Sequence, residues 1–322
     1  MTRVDITPLI DPELVEAMAI DARNNPPPNP PFALDDIAAQ REHYNRGRAF
    51  WRQGGPEMAR IKEATVPAAD GFSIPLRFYY PTDGDKLPAI VYLHGGGWNL
   101  GNLDTHDRVM RELASRSGCC VVGVDYRLAP EVKFPVPMED CVTAVTYVLS
   151  NGADHGIDTD RVGCAGDSAG GHMTLYAALK LRDAGVSPGL KMIAPLYMAV
   201  GLQDSQSWRM YQRPEEGMGM KDREVWMNCL FDDPVQGRFD PGFDLLQNDL
   251  DGLPPAFVLA CALDPVLDDS LAFAELLQAA GVPVQLSIHE GMLHSFIQYA
   301  EHMPKARAAL QEIADYCANA LA

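Results

Sequence analysis

The chain has 322 residues, which is enough for one large α/β domain or two smaller ones with a sizeable core. It carries 26 Lys and Arg against 44 Asp and Glu, a formal net charge of −18, and so acidic a surface disfavours nucleic acid and anionic membranes as partners. The N-terminal residues lack the basic and apolar regions of a secretory signal, and no apolar run approaches the roughly 18 residues of a membrane span. Seven scattered cysteines without a C-x-x-C pair favour reduced thiols in the cytoplasm over a zinc site or a disulfide framework.

The first 80 residues predict two helices and a hairpin. The helices lie near 12–22 and 34–51. Between them the stretch NNPPPNPP at 24–31 cannot be helical, because proline lacks the N–H donor and its ring clashes with the preceding turn. Residues 60–80 alternate between apolar and polar and contain an Asp70-Gly71 turn, a pattern typical of a β-hairpin.

Beyond the hairpin, apolar runs alternate with segments of helical periodicity. Buried strands separated by helices of this length predict a doubly wound, parallel α/β sheet, in which ligands bind beyond the carboxyl ends of the strands. The predicted strands lie at 87–94, 119–126, 161–166, 189–198, 255–263 and 282–290, and the predicted helices lie near 104–117, 136–150, 169–184, 267–280 and 304–320.

One interval is longer than a plain connection between two elements needs. About 55 residues separate the strand that ends near residue 198 from the strand that begins near residue 255. Aromatic and methionine side chains are frequent in this segment, and they fit an ordinary core as well as a lid that faces a substrate.

The stretch CAGDSAGGHM at 164–173 has the composition of a nucleophile elbow. Ser168 follows an apolar strand and precedes a helical pattern, which is the context that a G-x-S-x-G motif requires. Gly166 and Gly170 would let strand and helix approach closely, and the helix N-terminus would favour negative charge that develops beside the serine. These residues alone leave open a glycine-rich turn that merely joins strand to helix or binds phosphate.

A serine nucleophile needs a base, and on this fold the expected chain order is serine, acid, histidine. Three of the eight histidines come late enough in the chain. His294 is favoured because it lies in the loop after the last predicted strand. His289 lies within or at the end of that strand, and His302 falls in or near the final helix.

The acid must orient the imidazole and stabilise its cation. Asp264 directly follows an apolar strand and precedes Pro265, which stops further strand pairing. Asp268 and Asp269 begin a helix, where the helix dipole by itself accounts for acidic residues. We therefore predict that Asp264 is the acid.

The stretch LHGGGWNLG at 93–101 supplies candidate oxyanion donors. Consecutive glycines after a strand expose backbone N–H groups, and a tetrahedral oxyanion needs such donors about 3 Å away. A flexible loop or a nucleotide-binding turn is the alternative, but no lysine follows and no ribose-binding acid lies downstream. We assign the donors to Gly96, Gly97 and Ala169, the last being the residue after the nucleophile.

Four further charged or titratable residues adjoin these motifs. His94 and Asp167 are predicted to brace the glycine run and the elbow rather than to move protons. In the motif DYRLAPE at 125–131, Asp125 and Arg127 could be catalytic, but an ion pair that holds the strand end is the interpretation that we favour.

Taken together, HGGG at 94–97, DYRLAPE, GDSAGG, DPVLDD and GMLHSF resemble the hormone-sensitive-lipase family of α/β-hydrolases, in its GDSAG subgroup. The stretches at 101–115 and 263–270 are similar to those of bacterial acetyl esterases. The resemblance implies the α/β-hydrolase fold, a mostly parallel sheet of about eight strands beneath a two-part helical cap. Residues 1–55 would form the N-terminal part of the cap, and residues 56–322 the catalytic domain, with a cap insertion at about 200–245.

The resemblance also implies a carboxylesterase without cofactor or metal that cleaves short-chain acyl esters through Ser168, Asp264 and His294. The expected partner is a small-molecule ester, and the expected assembly is a monomer or a homodimer. The side chains predicted to contact the substrate are those of Trp98, Trp208, Met210, Tyr211 and Leu293.

Two features qualify this resemblance. Ser295 stands where many relatives have glycine or alanine, which could alter the packing of the loop beside the base. A small-molecule-binding or lyase-type relative that uses the same pocket is the alternative function, and the presence of both Asp264 and His294 favours the hydrolase.

Overall fold

A single mixed sheet forms the centre of the molecule. The computed structural model describes residues 3–187, 189–202, 204–214 and 217–322. Its strands are β1 (Arg60–Pro67), β2 (Ser73–Tyr80), β3 (Leu87–Leu93), β4 (Cys120–Val124), β5 (Ile157–Asp167), β6 (Ile193–Leu196), β7 (Ala256–Cys261) and β8 (Val284–His289). Their order in the sheet is β1-β2-β4-β3-β5-β6-β7-β8. The β1–β2 and β2–β4 pairs are antiparallel and the other pairs are parallel, so the predicted fold class is confirmed.

Helices cover both faces of this sheet. They are α1 (Pro12–Asn24), α2 (Ile37–Trp51), α3 (Asp107–Ser117), α4 (Val136–Asn151), α5 (Ala169–Asp183), α6 (Gln206–Tyr211), α7 (Met220–Leu230), α8 (Pro234–Gly237), α9 (Leu267–Ala279) and α10 (Pro304–Ala320). Helix α3 packs against α10, and α4 packs against α5. Strands β4 and β7 are buried along their whole length, which explains why these strands read as continuous apolar runs.

The structure matches the predicted strands with two differences in length. Strand β5 begins at Ile157, before the apolar run that predicted it, and β6 covers only Ile193–Leu196 of the predicted 189–198. Strand β6 stops because Tyr197 has a φ of 34°, a left-handed backbone that cannot continue a strand. The predicted hairpin pairs Arg60 with Tyr80 at one end and Pro67 with Ser73 at the other.

The N-terminal helices lie against the loops that follow the central strands. Arg41 of α2 donates to the carbonyls of Asn99 and Ala129, both at 2.7 Å, and also pairs with Glu131. Trp51 at the end of α2 packs edge-on against Tyr299. These contacts connect the first 55 residues to the edge of the sheet where the predicted site residues lie.

The long insertion after β6 contributes α6, α7 and α8. All seven cysteines lie in described parts of the chain, where each is buried and unpaired. Within those same parts, no helix combines the length and apolar character that a membrane crossing requires.

Candidate active site

Ser168 lies at a sharp turn between β5 and α5. Its φ of 54° and ψ of −118° are unusual for a residue with a side chain, and its N–H donates to the carbonyl of Leu196 at 2.9 Å. A Cβ atom on Gly170 would overlap the carbonyl of Leu93, and one on Gly166 would overlap the carbonyl of Gly170. Glycine is therefore required at both positions for β3, β5 and α5 to approach as they do.

The structure brings the predicted serine, histidine and acid into one hydrogen-bonded chain. His294 Nε2 lies 2.7 Å from Ser168 Oγ, and His294 Nδ1 lies 2.7 Å from Asp264 Oδ2. Because a carboxylate only accepts hydrogen bonds, the proton of the neutral imidazole is on Nδ1. Nε2 then has a free lone pair directed at the serine hydroxyl, the geometry that a general base needs.

Burial and local geometry hold this chain of hydrogen bonds in place. Asp264 is fully buried in the loop after β7, and its Oδ1 accepts the N–H of Val266 at 3.0 Å. The ring of Tyr197 packs edge-on against His294, with 5.0 Å between ring centroids. Ser295 has a φ of 64°, a backbone conformation that glycine would adopt at least as readily.

The alternatives that the sequence left open lie elsewhere. His289 lies beside Glu312 and His302 packs against Trp51. Asp268 Oδ2 accepts the N–H of Ser207 at 2.9 Å. In the described residues, no group of three or more His, Cys, Asp or Glu side chains has the arrangement of a metal site.

The glycine run and the residues that follow it, here called the glycine loop (residues 94–101), lie beside the elbow. Gly96 and Gly97 have φ values of 128° and 59°. Their N–H groups and that of Ala169, the first residue of α5, have no protein acceptor in the part of the chain that the structure describes. All three predicted donors are therefore available to a ligand.

Asp167 connects the elbow to the glycine loop. Its Oδ1 accepts the N–H of Gly95 at 3.0 Å and the hydroxyl of Tyr92 at 2.8 Å, and its Oδ2 lies 3.4 Å from His106 Nε2. Burial alone would raise the pKa of Asp167, but the nearby His106 ring and these hydrogen bonds lower it to about 2. Asp167 is therefore a carboxylate that holds the loop.

His94 supports the same loop from within. Its Nδ1 lies 2.9 Å from the carbonyl of Gly95, and Tyr126 donates its hydroxyl to the carbonyl of His94 at 2.7 Å. Burial is the main cause that lowers the pKa of His94, to about 3, so the ring is neutral. The contacts of His94 and Asp167 fit the bracing interpretation of both residues.

The predicted ion pair between Asp125 and Arg127 is wrong. Arg127 makes a bidentate pair with Asp140 of α4 at 2.7 and 2.8 Å, and it also contacts Asp70 in the hairpin turn at 2.5 Å. Asp140 is almost fully buried. Residues 125 and 127 are neighbours along the chain, but the guanidinium turns to a helix and a hairpin that the motif itself does not reveal.

A small cavity of about 30 Å³, here called the tryptophan cavity, lies between the insertion after β6 and the segments that follow β3 and β7. The side chains that define it include Trp98, Trp208, Trp226, Phe243, Arg223 and Asp269. Two of the residues predicted to contact substrate, Trp98 and Trp208, line this cavity.

The other three residues predicted to contact substrate do not line the tryptophan cavity. Leu293 is buried in the core on the α3–α10 side, and Tyr211 packs against that same core. Met210 is half-buried, and its sulfur accepts the amide of Gln206 at 3.2 Å. In these positions the three side chains contact other parts of the protein.

Sequence reasoning missed Arg223 and Asp269 as residues of the cavity. Trp226 belongs to the aromatic and methionine set of the insertion, for which the sequence left a core and a lid equally open, and it lies with Arg223 on α7. Asp269 was interpreted as a helix-dipole residue, but its Oδ1 accepts backbone N–H groups at 2.8–3.2 Å from Val200, Gly201 and Leu202. Burial raises its pKa to about 7.

Comparison with known proteins gives the class to which this fold and this site belong. A family model described as "alpha/beta hydrolase fold" matches residues 90–298. The chain belongs to this family, the hormone-sensitive-lipase-like branch of the α/β-hydrolases.

Solved structures narrow the likeness further. An esterase of the archaeon Pyrobaculum calidifontis is 34% identical, with a TM-score of 0.89 over 98% of this chain and all of that one. EstE1, a thermophilic carboxylesterase from a metagenomic library, is 29% identical, with a TM-score of 0.83 over 89% of this chain and 98% of that one. A thermostable esterase of Pseudomonas putida is 26% identical, with a TM-score of 0.87 over 98% and 99% of the two chains.

Proposed function

We propose that this protein is a serine carboxylesterase that cleaves short-chain acyl esters through an acyl-enzyme intermediate. The observation that carries the proposal is the hydrogen-bonded chain from Ser168 through His294 to Asp264, with 2.7 Å at each link. Membership of the α/β-hydrolase family and likeness to three esterases support it.

In the proposed acylation step, His294 takes the proton of Ser168 through Nε2 as Ser168 Oγ attacks the ester carbonyl. Asp264 stays ionised and stabilises the imidazolium that forms. The tetrahedral oxyanion accepts hydrogen bonds from the N–H groups of Gly96, Gly97 and Ala169, which are preorganised because no protein acceptor competes for them among the described residues.

Collapse of this intermediate gives the leaving alcohol and the acyl-enzyme. His294 returns its proton to the alkoxide as the carbon–oxygen bond breaks. It then takes a proton from water as the water attacks the acyl-Ser168 carbonyl, and the carboxylic acid leaves with Ser168 restored. The atoms and charges of these two steps balance without electron transfer or an external cofactor.

The preference for short acyl groups rests on the bulk of the cap. Trp226 lies over the glycine loop, where a Cβ on Gly97 would be 3.4 Å from its ring. Three tryptophans around a cavity of about 30 Å³ leave space for only a few heavy atoms. We expect turnover of p-nitrophenyl esters to fall steeply between hexanoyl and decanoyl chains.

The test is hydrolysis of p-nitrophenyl acetate by the wild type and Ser168→Ala. We expect the variant to lose at least about 10³-fold in kcat while circular dichroism shows an unchanged fold. Equal activity of both proteins, or a folded wild type that binds esters without cleaving them, would refute the proposal.

A matched pair of variants tests the acid. Asp264→Asn should reduce kcat by about 10⁴-fold because it reverses the tautomer of His294. Asp268→Asn is the control, since an amide oxygen still accepts the N–H of Ser207. A larger effect at position 268 than at 264 would reassign the acid.

A further inference from the structure

Two of the residues that line the tryptophan cavity each carry a polar atom without a hydrogen-bond partner. Among the described residues, neither Trp98 Nε1 nor Asp269 Oδ2 makes a hydrogen bond, although Trp98 is only 3% exposed and Asp269 only 1% exposed. Burial of a donor or acceptor without a partner is unfavourable. One indole donor and one carboxyl acceptor on the wall of the same cavity therefore indicate a polar occupant.

Asp269 cannot satisfy this oxygen by rotating. Its other oxygen is held by the N–H groups of Val200, Gly201 and Leu202, so the carboxyl plane is held by the loop after β6. Trp98 is similarly restricted, because its ring packs against His172 and Phe243 at 5.5 and 5.2 Å between centroids. The two atoms are thus a preformed donor and acceptor.

Residues that line the cavity lie close in the chain to the residues of the proposed catalytic site. Trp98 directly follows Gly97, and Asp269 lies in the first turn of α9, five residues after Asp264 in the preceding β7–α9 connection. The loop that binds Asp269 follows β6, whose Leu196 accepts the N–H of Ser168. A Cβ on Gly97, one of the proposed oxyanion donors, would lie 3.4 Å from the ring of Trp226, which lines the cavity. The cavity therefore lies beside the glycine loop, where the proposed function puts the ester carbonyl.

We propose that the tryptophan cavity is a specificity subsite for short acyl groups that carry a hydroxyl. The hydroxyl oxygen accepts from Trp98 Nε1–H, and its proton is donated to Asp269 Oδ2. A volume of about 30 Å³ admits a hydroxyl with its carbon but not a long chain. This inference rests on the proposed function, since it assigns the acyl side of that same site.

The chemistry of the walls selects a neutral hydroxyl over a cation. The Arg223 guanidinium lies over the Trp208 ring, 5.1 Å from its centroid, and also lines the cavity. An ammonium group in the same space would meet the Arg223 charge as well as the Asp269 carboxyl, and it has no lone pair to accept from Trp98 Nε1–H. A hydroxyl both donates and accepts, which matches the donor on Trp98 and the acceptor on Asp269.

The test compares esters that differ only in exchange of a hydroxyl for a methyl group. Ethyl 3-hydroxybutyrate is paired with ethyl 3-methylbutyrate, and ethyl lactate with ethyl 2-methylpropanoate. In at least one pair, we expect the wild type to have a kcat/KM at least about tenfold higher for the hydroxy ester, the value of one hydrogen bond to a buried partner.

Two variants remove one partner each. Trp98→Phe deletes the indole donor and keeps an aromatic ring. Asp269→Asn keeps one oxygen for the three backbone N–H groups and replaces the unpaired oxygen with an amide donor. In both variants the hydroxy-to-methyl ratio should fall to about 1, whatever happens to the absolute rates. Should Asp269→Asn fail to fold, Trp98→Phe alone decides the matter.

The outcomes separate this inference from the proposed function. A wild type that cleaves both members of each pair at similar rates, or a preference that survives in both variants, would mean that the cavity holds only water. A folded wild type that cleaves none of the four esters and no p-nitrophenyl acetate would instead overturn the proposed function.

Discussion

Replacement of Asp167 tests how the nucleophile strand holds the glycine loop. One carboxylate oxygen receives the N–H of Gly95 and the hydroxyl of Tyr92, and the other faces His106. Asp167→Ala removes all three interactions and leaves their partners buried. Asp167→Asn keeps the acceptor for Gly95 and Tyr92 and removes only the charge.

The expected magnitudes follow from these contacts. Asp167→Ala leaves the N–H of Gly95 and the hydroxyl of Tyr92 buried without their acceptor, at about 1–3 kcal/mol each. It should therefore lower the free energy of unfolding by about 2–6 kcal/mol. Asp167→Asn exchanges two charge-assisted hydrogen bonds for neutral ones, a loss of about 1–3 kcal/mol. Since Gly95 lies in the glycine loop, Asp167→Ala should also lower kcat for p-nitrophenyl acetate more than it raises KM, and Asp167→Asn should restore part of the kcat.

Urea unfolding and steady-state kinetics measure both effects. The pKa of Asp167 is about 2 in the folded chain, below its ordinary value of 3.8, so the carboxylate stabilises the fold above pH 4. That contribution is lost as the pH falls from 4 through 2, and the stability difference between wild type and Asp167→Asn should shrink over this interval. Equal stability and equal kcat for wild type and Asp167→Ala would refute the bracing role.

Three further predictions concern packing and charge. Gly170→Ala would press a methyl group into the carbonyl of Leu93. It should therefore lower the free energy of unfolding by about 1–3 kcal/mol and esterase turnover by about 100-fold. A variant with the melting temperature and the kinetics of the wild type would contradict this prediction. Arg127→Gln leaves Asp140 buried without its guanidinium and should cost about 3–5 kcal/mol in urea unfolding. The folded pKa of Asp269 is about 7, so the folded state holds a proton that the unfolded chain releases near pH 4. The free energy of unfolding should therefore fall by about 4 kcal/mol from pH 4 to pH 7 on account of this group, and a pH series on Asp269→Asn should lack that slope.

The sequence predicted which three residues form the hydrogen-bonded chain for a physical reason. Each of its members follows its own apolar strand, and parallel strands bring their carboxyl ends to one edge of the sheet. The assignment of Ser168, Asp264 and His294 therefore needed only the strand order and the loop positions. The fold class followed from the same alternation of strands and helices.

Contacts that depend on the packing of distant elements could not be predicted in this way. Arg127 pairs with Asp140 because α4 lies beside the end of β4, a fact that the motif DYRLAPE does not contain. Asp269 holds a loop that lies about 70 residues earlier in the chain. Helical periodicity did not predict which way the Trp226 side chain points, so a core position and a cavity position were equally compatible with the sequence.

The hydrogen bonds around the elbow separate the role of the sheet from that of the insertion after β6. Asp167 ends β5 and Ser168 follows it directly. Gly95 follows β3, and Leu196, which accepts the N–H of Ser168, ends β6. The positions of the nucleophile and of the glycine loop are thus set by three central strands that are buried in the sheet. The tryptophan cavity depends instead on α7 and on the loop after β6. Substitutions on α7 that do not face the sheet should therefore change which esters are cleaved more than how fast the acyl transfer itself proceeds, whereas substitutions at Asp167 should do the reverse.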